Sequence, residues 1–179
     1  MLPLLLPTLE RPLNLLCLGA HSDDIEIGCG GTILTLLSQH KNLNVHWVVF
    51  SGGGTRAAEA TKSARLFLKG ALEQQVILHE FRDGFFPYHG AAVKEAFEGL
   101  KPVQPDLIFT HCRHDLHQDH RLLHELTRNT WRDHCILEYE IPKYDADLGA
   151  PNVYVPVSAQ AAKKKIDYLM KCFGTQRSK

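Results

Sequence analysis

The 179-residue sequence lacks a charge excess of either sign: twenty Lys plus Arg stand against twenty Asp plus Glu. Without a global basic field, nothing holds a nucleic-acid backbone or an anionic membrane surface at long range, so no nucleic-acid partner is expected. Long apolar runs are missing too. The leucine-rich start, MLPLLLPTLERP, is broken by Pro3, Pro7 and Pro12, has no basic residues ahead of its leucines and no small-residue cleavage site behind them. It reads as a surface arm, and no integral membrane segment is expected. The five cysteines (Cys17, Cys29, Cys112, Cys135, Cys172) form no Cys-x-x-Cys pair, which argues against a zinc knuckle or dithiol redox site and for a reducing, cytoplasmic setting. Gly-x-Gly-x-x-Gly, a P-loop lysine and Gly-x-Ser-x-Gly are all absent. Dinucleotide binding, P-loop nucleotide hydrolysis and serine-elbow hydrolysis lose their usual signatures.

A composition of 44% hydrophobic and 22% charged residues is that of an ordinary globule, and a chain of this length buries roughly 70% of its unfolded surface around one core. Apolar runs of strand length recur about every thirty residues: LNLLCLGA (13–20), VHWVVFS (45–51), QQVILHEF (74–81), PDLIFTH (105–111) and CILEYEIP (135–142). Between them TILTLLSQH, RAAEATKSARLFLKG, AAVKEAFEGLKP and DHRLLHELTRNTW have helical periodicity. Strand then helix, four times over, predicts an α/β fold, a Rossmann-like three-layer sandwich with a mostly parallel sheet. The first four runs alternate little, as strands buried on both faces should. After Pro142 a loop, a short strand at NVYVPVS and a basic helix, AAKKKIDYLMKCF, capped by Ser158, are expected.

Histidine is the one enriched residue: there are eleven, and His111, His114, His117, His120 and His124 fall within one short segment. In doubly wound sheets ligands bind beyond the carboxyl ends of the strands, where strand order reverses and strand 1 commonly sits beside strand 4. The loop after strand 1 reads His21-Ser22-Asp23-Asp24, and the loop after strand 4 holds the histidines. Geometry brings the two polar clusters together. His21, Asp24 and a third group from strand 4 would make the open His, His, carboxylate set of a catalytic zinc, with Asp23 beside it as general base. Two adjacent aspartates are also what the start of a helix needs.

Spacing alone leaves open which of His111, His114, His117 and His120 would bind metal. His111 ends the strand, half buried. Asp119 suits the N-cap of a helix starting at His120, which would point into the crevice from the first turn. His117 stands nearer the substrate as hydrogen-bond donor or acid, and His124 reads as a packed or surface residue. The glycines of GCGGT (28–32) and SGGGT (51–55) read as turn and close-packing residues. Arg56 and Asp83, just beyond strands 2 and 3, are placed either to pair on the surface or to bind substrate hydroxyls.

AHSDDIEIGCGGT closely resembles the Ala-His-Pro-Asp-Asp-Glu segment of the PIG-L/LmbE-like zinc-dependent de-N-acetylases, and HQDHR resembles their His-Pro-Asp-His motif. SGGGTRAAEA, FRDGFFPY and PDLIFTH also look like that family's middle section, so the resemblance extends over most of the chain. It implies a Rossmann-like fold and removal of an acetyl group from an N-acetylglucosamine-type sugar or glycoconjugate. Carried over by position, it implies Zn2+, or another divalent ion such as Fe2+, on His21, Asp24 and His120, with Asp23 as base. His117 would lie near the oxyanion, and Arg56 and Asp83 would contact the sugar. Ser22 replaces the usual proline and Ile25 a common glutamate. The chain ends at GTQRSK, where relatives usually continue; a single domain over residues 1–179 lacking the family's C-terminal segment is therefore expected. Two rival readings use the same residues: a non-haem iron oxygenase, which needs no carboxylate base beside its ligands, and a non-catalytic metal- or sugar-binding domain.

Overall fold

The strand that organises the molecule, β1 (Leu13–His21), is buried along almost its whole length. A computed structural model describes residues 6–7 and 9–176; residues 1–5 and 8 of the expected surface arm lie outside the described residues. Flanking β1 are β2 (Leu43–Ser51) and β4 (Leu107–His111), with β3 (Glu73–Leu78) and β5 (Cys135–Tyr139) at the edges. The order is β3-β2-β1-β4-β5 and every pairing is parallel. After β3 the chain crosses back past β1 to begin β4. The carboxyl ends of β1 and β4 therefore border the crevice where strand order reverses, the expected ligand position in such sheets.

Successive residues of a strand face opposite sides, and the two cores follow that alternation. On one face Leu15 and Cys17 join Trp47 and Val49 beneath α2 (Gly30–Gln39), α3 (Ala57–Phe67) and α6 (Ala159–Cys172). On the other Leu16 and Leu18 join Val48 and Phe50 beneath α4 (Gly90–Leu100) and α5 (Gln118–Thr130). The Phe50 ring stacks on Phe97, centroids 4.9 Å apart. A five-residue helix, α1 (Asp24–Gly28), begins directly after β1.

Two expectations are corrected here. β3 begins exposed at Glu73, Gln74 and Gln75, because an edge strand has solvent on one side and tolerates polar residues that a central strand could not. NVYVPVS forms no strand; Pro156 removes a backbone donor, and nothing in the five-strand order pairs with it. The basic helix is present, and Ser158 caps it by accepting the Ala161 N–H through Oγ at 3.1 Å. Among the described residues no helix is long and apolar enough to cross a membrane.

Gly28 shows what the GCGGT glycines do: a Cβ there would lie 2.1 Å from the Tyr139 ring. That ring is held because its hydroxyl donates to the Leu18 carbonyl at 2.6 Å. Gly28→Ala is expected to destabilise the fold by about 1–3 kcal/mol, the usual cost of overpacking. A urea unfolding midpoint equal to that of the wild type would contradict this packing role.

Candidate active site

Both polar loops converge on the carboxyl edge of β1 and β4. His21 ends β1 and His120 lies in the first turn of α5. His21 Nδ1 and His120 Nε2 are 3.1 Å apart; Asp24 Oδ2 is 3.3 Å from the former and 3.4 Å from the latter. The same Asp24 oxygen accepts the His21 backbone N–H at 2.7 Å, which folds the His21–Asp24 turn onto itself. All three side chains are nearly inaccessible, with His21 the most open at 10%.

The outer nitrogens of both rings are tied to carboxylates. His21 Nε2 lies 3.0 Å from Asp83 Oδ1 and 3.3 Å from Asp119 Oδ2, so in the neutral ring the proton sits on Nε2 and Nδ1 is the nitrogen left to act as a ligand. His120 Nδ1 donates to Asp115 Oδ2 at 2.8 Å, leaving its Nε2 free. Carboxylates that fix ring tautomers in this way are the usual outer shell of a histidine metal site. Asp119 is itself fixed, accepting the Gly84 N–H at 2.7 Å and the Phe86 N–H at 3.1 Å. Gly84 has φ +78°, a left-handed conformation that favours glycine and turns its N–H toward Asp119.

Charge is concentrated to match. Asp23, Asp24, Asp83, Asp115 and Asp119 surround the histidines, with Arg56 on Asp23 at 3.2 Å and Lys143 on Asp115 at 3.0 Å as the opposing cations. Burial works to raise the Asp24 carboxyl, but His21, His111 and His120 outweigh it and hold Asp24 well below the usual range. Burial would lower His21, yet Asp24, Asp119 and Asp83 raise it well above the ordinary imidazole value. Asp23 is raised, chiefly by burial and then by the Asp24 charge, against the pull of Arg56. The carboxylates that favour protonated rings here would equally favour a divalent cation, which takes the place of the ring protons facing Asp24.

The other histidines separate by environment. His111 is fully buried, not half buried, because it closes the inner end of the crevice beneath the His120 ring, centroids 3.9 Å apart. Its Nε2 accepts the Ala20 N–H at 3.0 Å, and burial pushes its pKa down to about 4. His114 is exposed. His124 is buried, its Nδ1 donating to the His111 carbonyl at 3.2 Å. His117, not Asp119, caps α5: its Nδ1 accepts the Asp119 N–H at 3.2 Å, so the ring proton resides on Nε2. Burial first, then the neighbouring His120 and His21, lower its pKa.

His21, Asp23, Asp24, Arg56, Asp83, His117 and His120 lie together at this crevice, whereas His114 does not. Arg56 reaches Asp23, and Asp83 reaches His21. Asp115 escaped sequence analysis, since its five-residue separation from His120 matches no ligand spacing, and Lys143 is too distant in sequence to suggest itself. Ser22, in place of proline, donates from Oγ to the Ser51 carbonyl at 3.3 Å. Ile25 is fully buried. Beside it Glu26 is buried too, and burial pushes its carboxyl up to about 8.

The family model PIG-L, GlcNAc-PI de-N-acetylase, matches residues 16–131. N,N'-diacetylchitobiose deacetylase from Pyrococcus horikoshii is similar with a TM-score of 0.67 at 24% identity, over 87% of this chain and 68% of that one. The zinc-inhibited form of teicoplanin deacetylase gives 0.68 at 13% identity, over 88% and 83%. The 4-carboxy-2-hydroxymuconate hydratase GalB from Pseudomonas putida KT2440 gives 0.69 at 19% identity, over 93% and 80%. At these identities the structural likeness establishes the α/β fold alone, and one neighbour is a hydratase. The family model spans more than half of the chain and runs from within β1 to just past α5, with both site loops; the chain belongs to the PIG-L family of de-N-acetylases.

Proposed function

We propose that the protein is a metal-dependent N-deacetylase acting on an N-acetylglucosamine-type sugar or glycoconjugate, with the metal held by His21, Asp24 and His120. One observation carries the metal assignment. The donor atoms form a triangle with sides of 3.1, 3.3 and 3.4 Å, and a tetrahedral ion with bonds of about 2.0–2.1 Å separates its ligands by about 3.3–3.4 Å. Two neutral imidazoles and a carboxylate suit zinc, with Fe2+ the alternative, and three protein ligands leave room for water and substrate. His111 fits the set less well, since its Nε2 already accepts a backbone N–H. Among the structural neighbours, a teicoplanin deacetylase has a zinc-inhibited form, which supports a divalent ion in this fold. Five cysteines free of disulfides suit a reducing, cytoplasmic setting.

When bound, such an ion acts as a Lewis acid and makes water nucleophilic near neutral pH. Asp23 is the general base: it stands beside Asp24 with its charge partly answered by Arg56, and its raised pKa brings it closer to the working pH. His117 stays neutral because its pKa is lowered, and its Nε2–H is the donor offered to the oxyanion as the acetamide carbon becomes tetrahedral. The C–N bond then breaks. The proton that Asp23 accepted from water passes to the departing amine, giving free amine and acetate. Arg56 and Asp83, on the rim, bind sugar hydroxyls. The oxygenase alternative gives no task to Asp23, and the family assignment favours hydrolysis.

Zinc-loaded protein is expected to release acetate from at least one member of a panel of free, nucleotide-linked and glycan-bound N-acetylhexosamines; cleavage of none would contradict the proposed activity. His21→Ala or Asp24→Ala should abolish metal binding in purified protein, whereas His124→Ala should leave it nearly intact, and the reverse order would contradict the ligand set. Asp23→Asn should keep the metal and lose about 100-fold or more in kcat, the usual range for a general base. Because Asp23 must be ionised to act, kcat/KM of the wild type should rise with pH through its raised pKa, and that limb should vanish in Asp23→Asn. Metal lost from this variant would make Asp23 a ligand instead; an unchanged rate would make it a bystander.

A further inference from the structure

Beyond β5 the segment IPKYDADLG (141–149) returns to the loop between β4 and α5, which leads through His117 into the helix turn that carries His120. Its contacts are specific. Lys143 Nζ lies 3.0 Å from Asp115 Oδ1 and also contacts Asp147 Oδ2. Asp147 accepts the Leu116 backbone N–H through Oδ2 at 2.7 Å. The side chains of Asp115, Asp147 and Lys143 are only 2%, 5% and 16% exposed, so this is a sheltered triad, not a surface pair. Ala146, just before Asp147, has φ +53°, a left-handed conformation that side-chain-bearing residues rarely adopt. The backbone accepts that turn where Asp147 folds back on Lys143.

Asp115 divides its oxygens. Oδ1 takes the His117 N–H at 2.8 Å and Lys143, while Oδ2 takes the His120 Nδ1–H at 2.8 Å. Lysine thus holds one side of the carboxylate so that the other faces the imidazole. We propose that Lys143 is a positioning residue for this site: acting through Asp115 it fixes the His120 ring, and with Asp147 it straps residues 141–149 against the loop between β4 and α5. The proposal rests on the metal-site reading given above. Without the lysine, two sheltered carboxylates face one another with no cation between them, which is unfavourable at low dielectric. Either the strap lifts away or a carboxylate turns toward water, and in both cases the acceptor that orients His120 moves.

The test uses the full chain as Lys143→Met and Lys143→Arg. Zinc affinity is measured by chelator competition, the visible spectrum is recorded with cobalt(II), and the His120 Nδ1–H resonance is followed by NMR. Losing an outer-shell partner commonly costs 10- to 100-fold in metal affinity, so Lys143→Met should bind zinc about 10-fold or more weakly. It should also alter the cobalt spectrum and lose the slowly exchanging ring proton. Lys143→Arg keeps the charge and should restore all three, with affinity within about threefold of the wild type on the same scale. Should Lys143→Met fail to fold by circular dichroism, Asp147→Ala, which keeps the Lys143–Asp115 contact but frees Leu116, should show a smaller loss of the same kind. Wild-type affinity and spectrum in folded Lys143→Met, or in Asp147→Ala where the former does not fold, would overturn the strap. A wild-type chain that binds no zinc would instead overturn the metal reading beneath it.

Discussion

Four imidazoles and a ring of carboxylates are gathered at the carboxyl edge of β1 and β4, and much of the local structure exists to make that tolerable. Buried carboxylates are costly unless each finds donors or a cation. Asp119 meets this with two backbone N–H groups from the loop after β3, Asp115 with a histidine ring, a backbone N–H and Lys143, and Asp23 with Arg56. Each of these contacts ties a different part of the chain to the site. The loop after β3, the start of α5, the turn before α3 and the segment after β5 all owe their placement partly to a carboxylate near His21 or His120. The same ties hold the outer nitrogens and turn His21 Nδ1 and His120 Nε2 toward Asp24, so satisfying the buried charges also orients the candidate ligand atoms.

The fold supplies the meeting place. Four crossovers and the reversal after β3 put the ends of β1 and β4 side by side, and side-chain alternation along β1 anchors that strand in both cores. Gly28, pressed against Tyr139, lets the short helix after Asp24 lie close to β5. A hydratase and deacetylases share this architecture, so the sheet alone does not select the reaction. The family assignment points to deacetylation.

Much of this was legible from sequence because it is local or periodic. Strand runs, helix periods and the two polar loops are written in consecutive residues, and the rule for switch points joins loops far apart in sequence. What periodicity cannot convey is pairing at long range. Lys143 lies in a stretch that reads as an ordinary loop, and only the folded chain brings it to Asp115. Asp119 looks like a helix cap from sequence; folding spends its carboxylate on Gly84, Phe86 and His21, and His117 takes over the cap. The polar start of β3 and the strandless NVYVPVS segment are hidden from periodicity for a related reason, since both depend on which neighbours a segment acquires in the sheet.

The central claim is that one divalent ion binds between the two loops on His21, Asp24 and His120. Crystals of zinc-loaded protein, with anomalous difference maps collected on both sides of the zinc absorption edge, test it most directly. The expected result is a single strong peak within bonding distance of His21 Nδ1, Asp24 Oδ2 and His120 Nε2, at about 2.0–2.2 Å. A peak held by Asp83, Asp119 and His117 instead, a peak bonded to His111, or no peak in this crevice would contradict it.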